Sequence, residues 1–483
     1  MKRLHATEEY PMRNARTTRV ARPMAALAAL ALVVGACGGT AASASPVAST
    51  AAPAATPSAP ASASAVTSAA PSASEAAASA TANPAAACGS YSGPAAKITY
   101  AIWGDTTELA NQQKIVNAIM AKNPKITIKV TVADWDNYWP KLQTDLGGGN
   151  APDIFVMDGP LFLDYQTRDQ LLDLTPLIAR DGFDTAQLAD LAVKDFQSSD
   201  GHQYGLPRDM STVALYYNRA MFDAAGIAYP DETWDWAKLS DTAKQLTKTS
   251  GGVTSQWGFY TETSDMENYW SSLVWQAGGD IISADRKTVL IDSPEAAQGI
   301  QFLQDLIYKD KVMAQPVAGG TGDMFENGQA AMEANGSWLV PTHTAAGINF
   351  SVAPLPKGPA GQATSVNPSG VVVYKGSKSP DAAWEFVKCY TSPEMQKMVA
   401  ALKASMPANL SVLKDTYATS FDGGKTFADA LSYAHLKPSF RGFDEFNTAL
   451  QGELDNNVFN DNSKTAKQAL DDVTPKLQQL LAQ

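Results

Sequence analysis

Two groups of residues in this chain have types and spacing that could do chemistry. Near the start, Val34-Gly35-Ala36-Cys37 follows an uncharged apolar run beginning at Met24, with Arg13, Arg16, Arg19 and Arg22 ahead of it. A basic segment, a short apolar segment and small residues before a cut site describe a secretory signal. The run is too short to span a bilayer. The four residues resemble a bacterial lipobox, in which Cys37 is acylated and becomes the mature N-terminus. Farther along, Trp103, Asp105 and Asp158 close expected strands, where an indole beside carboxylates can grip a polar ligand. Asp105 is equally well placed to cap the helix that follows it. Neither a Gly-x-Ser-x-Gly elbow nor a His-Glu-x-x-His pair occurs. His202, His343 and His435 are scattered and the cysteines are separate, so no metal or cofactor is expected.

Ordered elements must position those side chains. Lys97–Trp103 alternates and reads as a strand, Gly104-Asp105 breaks it, and a helix follows to about Ala121. Ile126–Val132 is a second strand, 138–146 a second helix, and Ile154–Met157 a short buried strand ending at Asp158. This β-α-β-α-β order predicts an α/β fold built on a mostly parallel sheet flanked by helices. Ligands of such sheets sit beyond the carboxyl ends of the strands. A further strand at Val213–Tyr217 gives way to a helix capped by Asn218 and stopped by Gly226.

Composition narrows the classes. Residues 38–87 are almost all Ala, Ser, Thr, Pro and Gly, with Glu75 the single charge. Such a stretch cannot bury enough surface to offset the entropy of ordering and reads as a disordered stalk. Removing residues 1–36 takes away six basic and two acidic side chains, which moves the formal charge from −12 to −16. An acidic chain without a basic run argues against nucleic acid as a partner. No second apolar stretch approaches 18 residues, so membrane contact is expected through the lipid anchor alone. Outside the cytoplasm Cys88 and Cys389 either form a bridge pinning the stalk to the domain or remain two thiols, Cys389 then being a small core residue.

The order of later segments carries a resemblance. Trp103-Gly104-Asp105, Ala151-Pro152-Asp153-Ile154, Gly205-Leu206-Pro207 before Leu215-Tyr216-Tyr217-Asn218, Asn335-Gly336-Ser337-Trp338, Leu355-Pro356 and the Ser379–Trp384 segment follow one another. In this order the chain resembles the extracellular solute-binding proteins of bacterial ABC importers, in the maltose-binding-like group that carries carbohydrate. The resemblance implies two lobes of the type II periplasmic-binding-protein fold, joined by hinge crossovers and closing on ligand. Lobe 1 would comprise 97–209 and 368–412, and lobe 2 would comprise 210–367 and 413–483. Residues 1–36 would form the signal, and 37–96 a lipid-anchored disordered linker on the extracytoplasmic face of the cell membrane.

The resemblance also implies a monomer that binds sugar without chemistry and hands it to permease subunits. Its site would stack indoles on pyranose faces and pair polar groups with hydroxyls. Trp338 falls where the family places a sugar platform, and Asn268 and Trp270 precede the Gly278-Gly279 turn. Asp209 lies at the first crossover, and Arg441 lies in a late segment that commonly reaches the cleft. Two rivals stand beside this reading. One is transport of a non-sugar solute such as a polyamine or peptide, and the other is a secreted glycosidase using a carboxylate pair.

Overall fold

The computed structural model describes residues 87–316 and 323–483. Cys37, the signal segment and most of the expected linker lie outside the described residues. Strand β1 (Ala96–Trp103) alternates buried and exposed positions, and it pairs in parallel with β2 (Ile126–Ala133) and β3 (Ile154–Asp158). Helix α1 (Thr106–Lys122) connects β1 to β2. It starts where Asp105 accepts the Glu108 N–H at 2.8 Å. Helix α2 (Trp135–Gly147) begins in the same way at Asp134 and leads to β3, which is buried along its whole length.

The next strand, β4, runs fourteen residues from Gly205 to Asn218, all buried. A hairpin of β5 (Lys248–Ser250) and β6 (Val253–Gln256) stands apart. The remaining strands are β7 (Met332–Gly336), β8 (Phe350–Ala353), β9 (Thr364–Val373), β10 (Met406–Pro407) and β11 (Ala434–Leu436). Among the described residues the main sheet runs β10-β4-β9-β3-β1-β2, with β7 and β8 on β4 and β11 on β9.

The parallel pairs are β1/β2, β1/β3 and β9/β11, while β4 and β9 are antiparallel to each other and to most neighbours. The expected parallel opening is there. The antiparallel share arises because β4 leaves one half of the molecule and β9 returns to it. β4 pairs with β9 from Gly205 to Thr212 and with β7 and β8 from Val213 to Asn218, so its partners change at mid-strand.

Separate apolar cores lie on either side of that change. One joins Ile98, Ile102, Ile115, Val371, Trp384 and Val387, and the other joins Leu215, Trp236, Trp270, Ile300, Phe446 and Leu470. Burial of such side chains from water drives each half to condense. No helix among the described residues is long and apolar enough to cross a membrane.

Cys88 and Cys389 are bridged, which decides between the two readings of that pair. The Gly89 and Ser90 N–H groups donate to Glu385 Oε1 at 2.7 and 3.1 Å. The linker expected over 37–96 therefore ends early. From Cys88 the chain is held against the helix Pro380–Tyr390, and Ala96 already belongs to β1.

Candidate ligand-binding cleft

A cavity of about 860 Å³ opens where β4 and β9 cross between the halves. One wall is aromatic. β1 ends at the half-buried Trp103, and Trp135 starts α2 immediately after β2. Parallel pairing of Trp103 with Ala133 brings these two segments side by side. The Trp103 and Trp135 rings meet edge to face at 5.1 Å, with Tyr138 5.5 Å and Trp139 5.6 Å from Trp103. Offset and edge-on packing fixes such rings and leaves a face for ligand. Trp135 is 41 % exposed.

Trp338 supplies a further ring from the turn that follows β7. A Cβ on Gly336 would come within 2.0 Å of the indole, so the ring can fold over this position because it is glycine. Ser337 Oγ donates to Ser211 Oγ at 3.1 Å, tying the turn to β4.

Polar groups fill the remaining wall. Asp209 on β4 accepts from Arg208 Nε at 2.9 Å, and Arg208 Nη2 reaches Glu108 Oε1 at 3.4 Å. Asn268 Nδ2 donates to Glu262 Oε2 at 3.2 Å, and Asn367 and Ser369 on β9 complete the lining. Asp158, at the end of β3, lies 3.8 Å from Lys437 Nζ, which donates to Glu267 Oε2 at 2.6 Å. Burial, reinforced by the Glu267 and Asp265 carboxylates, pushes Asp158 up to about 7 despite Lys437. Burial alone would lower Lys437, but Asp158, Glu267 and Asp265 hold its ammonium above the ordinary range. A smaller cavity of about 170 Å³ shares Trp135, Asp158, Asp265 and Glu267 with the cleft.

Of the residues singled out in the sequence, Trp103, Asp158, Asp209, Asn268 and Trp338 converge on this cleft. Three do not. Asp105 is exposed and spends its carboxylate on the α1 N-terminus, leaving Gly104 and Glu108 to line the wall. Trp270 is fully buried. Its helix, Trp270–Gln276, is packed on every side, and its Nε1 donates to Gln451 Oε1 at 3.1 Å. Arg441 is exposed and outside the lining, and the buried cation of that segment is Lys437, one residue past β11. Trp135, Arg208, Glu262 and Asp265 were missed. The one local signal for Trp135 was its place directly after Asp134, a helix cap that follows a strand.

Among the described residues two groups have ligand atoms close enough to hold a metal. Cys88, Glu385 and Cys389 are committed to the bridge. Asp323, Glu333 and His343 form a cluster outside the cleft lining, in which His343 Nε2 meets Glu333 Oε2 at 2.9 Å. No motif spacing marks that cluster, because Glu333 stands on β7, His343 on the helix Val340–Ala345 and Asp323 in the segment before them.

Rings and hydrogen-bonding groups around an open space can hold a solute. Comparison with known proteins agrees with that geometry. The chain is 26 % identical over 364 residues to the maltotriose-binding protein of Pyrococcus abyssi, covering 72 % of this chain and 74 % of that one. It is 24 % identical over 388 residues to the galactooligosaccharide-binding protein of Bacillus subtilis, covering 76 % and 88 %. An ABC substrate-binding protein from Listeria monocytogenes, solved in complex with cycloalternan, superposes with a TM-score of 0.74 at 27 % identity, covering 80 % and 99 %. Residues 114–422 match the family described as bacterial extracellular solute-binding protein. With that match over most of the folded chain, and a cleft between two lobes, the protein belongs to the bacterial extracellular solute-binding proteins.

Proposed function

We propose that this chain is the substrate-binding subunit of an ABC importer and captures a sugar or oligosaccharide between its lobes. The observation that carries the reading is the composition of the cleft. Trp103 and Trp135 on one side and Trp338 on the other can cover pyranose faces, while Asp209, Asn268, Asn367 and Ser369 offer partners to the hydroxyl rim. The relatives named for maltotriose and galactooligosaccharide, and the neighbour bound to cycloalternan, support the same cargo class. Binding would favour the closed arrangement through contacts made to both lobes, the lobes being 97–209 with 368–412 and 210–367 with 413–483.

In the same proposal the lipid on Cys37 tethers the monomer to the extracytoplasmic face of the membrane, and the 37–87 stalk lets it reach its permease. Calorimetric titration of the purified, ligand-stripped protein with mono- and oligosaccharides tests the binding claim. Saturable binding to one sugar class without product formation is the expected result. Silence across the panel from a folded protein would overturn it and favour a non-sugar solute. Radiolabelled palmitate incorporated by wild type and lost in Cys37→Ser tests the anchor.

A further inference from the structure

Resting on the reading of this cleft as a sugar site, we infer that its ligand carries a positively charged amine, as an amino sugar or amine-bearing oligosaccharide does. The first ground is an imbalance of charge. Seven carboxylates line the cavity, from Glu108, Asp136, Asp158, Asp209, Glu262, Asp265 and Glu267, against the one guanidinium of Arg208. Arg208 is taken by Asp209 and Glu108, and Lys437 behind the wall is taken by Glu267 and Asp158. Asp136, Glu262 and Asp265 have no cation within 4.0 Å among the described residues.

The second ground is independent of the carboxylates. Asn367 is 8 % exposed and lines the cavity, yet its Oδ1 accepts no hydrogen bond, while its Nδ2 is already spent on Ser365 Oγ at 3.4 Å. That oxygen has almost no accessible surface where it stands, and a turn of the side-chain amide toward the cavity brings it to a ligand's donor. An ammonium offers three.

The aromatic walls act in the same direction. The faces of Trp103, Trp135 and Trp338 attract a cation through the ring quadrupole. A neutral ligand closing over Glu262 and Asp265 would strip water from two carboxylates and return no opposite charge. An ammonium seated there compensates both. Asp265 already feels the strain: burial, with Glu267 beside it, pushes it up to about 6.

The test is calorimetry on the ligand-stripped protein at pH 6 with three trisaccharides: glucosamine trimer as the free amine, its N-acetylated form, and maltotriose. The free amine is expected to bind at least about tenfold tighter than its acetylated counterpart. That preference should shrink as sodium chloride is raised, and it should collapse in Glu262→Gln/Asp265→Asn. Equal or tighter binding of the neutral sugars would overturn the inference and leave the sugar-binding reading standing. So would a preference that survives both salt and the double substitution. Binding to none of the three would overturn the inference, while the sugar-binding reading stands or falls with the full panel of mono- and oligosaccharides.

Discussion

Lys437 and Asp158 face each other at 3.8 Å beneath the cleft, one just beyond β11 and the other at the end of β3. They come from distant parts of the chain, and both side chains are nearly excluded from solvent. Lys437 also donates to Glu267 at 2.6 Å, so a single ammonium answers two carboxylates. Taking away one partner of a buried pair leaves the others uncompensated, at a cost of about 3–5 kcal/mol. Lys437→Met is therefore expected to lower the urea-unfolding free energy by that order. A loss under about 1 kcal/mol would show that water reaches the carboxylates.

Asp195 should make stability fall as pH rises. It is buried, its Oδ2 has no hydrogen-bond partner, and burial together with Asp158 pushes it up to about 8 from its ordinary 3.8. The folded state thus holds a proton that the unfolded chain has already released. The stabilisation is complete below about 3.8 and is lost as pH climbs toward 8. Asp195→Asn removes the titration, so the variant should gain on wild type between pH 5 and 8.5. The expected gain is on the order of 1–3 kcal/mol in unfolding free energy. Parallel stability curves for the two proteins would contradict this.

What could be read without a structure followed from local physics. The alternation of β1, the Asp105 and Asn218 caps and the buried run of β3 are short-range signals, and all of them are present. The Trp residues divided less well, because identical rings serve both core and cleft. Trp270 is enclosed by Leu273, Val274 and the helix Phe443–Leu454, whereas Trp135 projects from the first position of α2. That difference lies in tertiary packing, which neither composition nor spacing encodes. Nothing local marks Lys437, rather than Arg441, as the inward cation of its segment. The pairing of β11 with β9 brings that segment to the cleft, and the ion pairs to Glu267 and Asp158 show that Lys437 turns inward.

The Cys88–Cys389 bridge joins residues 301 positions apart and closes a loop over most of the folded chain, leaving out the elements after 390. Such a crosslink restricts the unfolded ensemble, typically by about 2–4 kcal/mol of stability. Neither cysteine lines the cleft. The double variant Cys88→Ser/Cys389→Ser is expected to lose that much in urea unfolding while keeping its ligand affinity at 25 °C. Affinity falling in step with stability would mean that the bridge also holds the cleft geometry.

Trp338 and Trp270 separate binding from folding most directly. Trp338 is partly buried over Gly336 and keeps a face in the cleft, while Trp270 is fully buried and hydrogen-bonded to Gln451. Trp338→Ala should weaken sugar binding by on the order of 1–3 kcal/mol with the unfolding transition little moved. Trp270→Ala should instead lower stability by about 3–5 kcal/mol through the cavity it opens. Titration calorimetry and urea unfolding on both variants give four numbers with a crossed pattern expected. If Trp338→Ala unfolded the domain, or left affinity unchanged, its ring would belong to the core. The cleft would then rest on Trp103 and Trp135 alone.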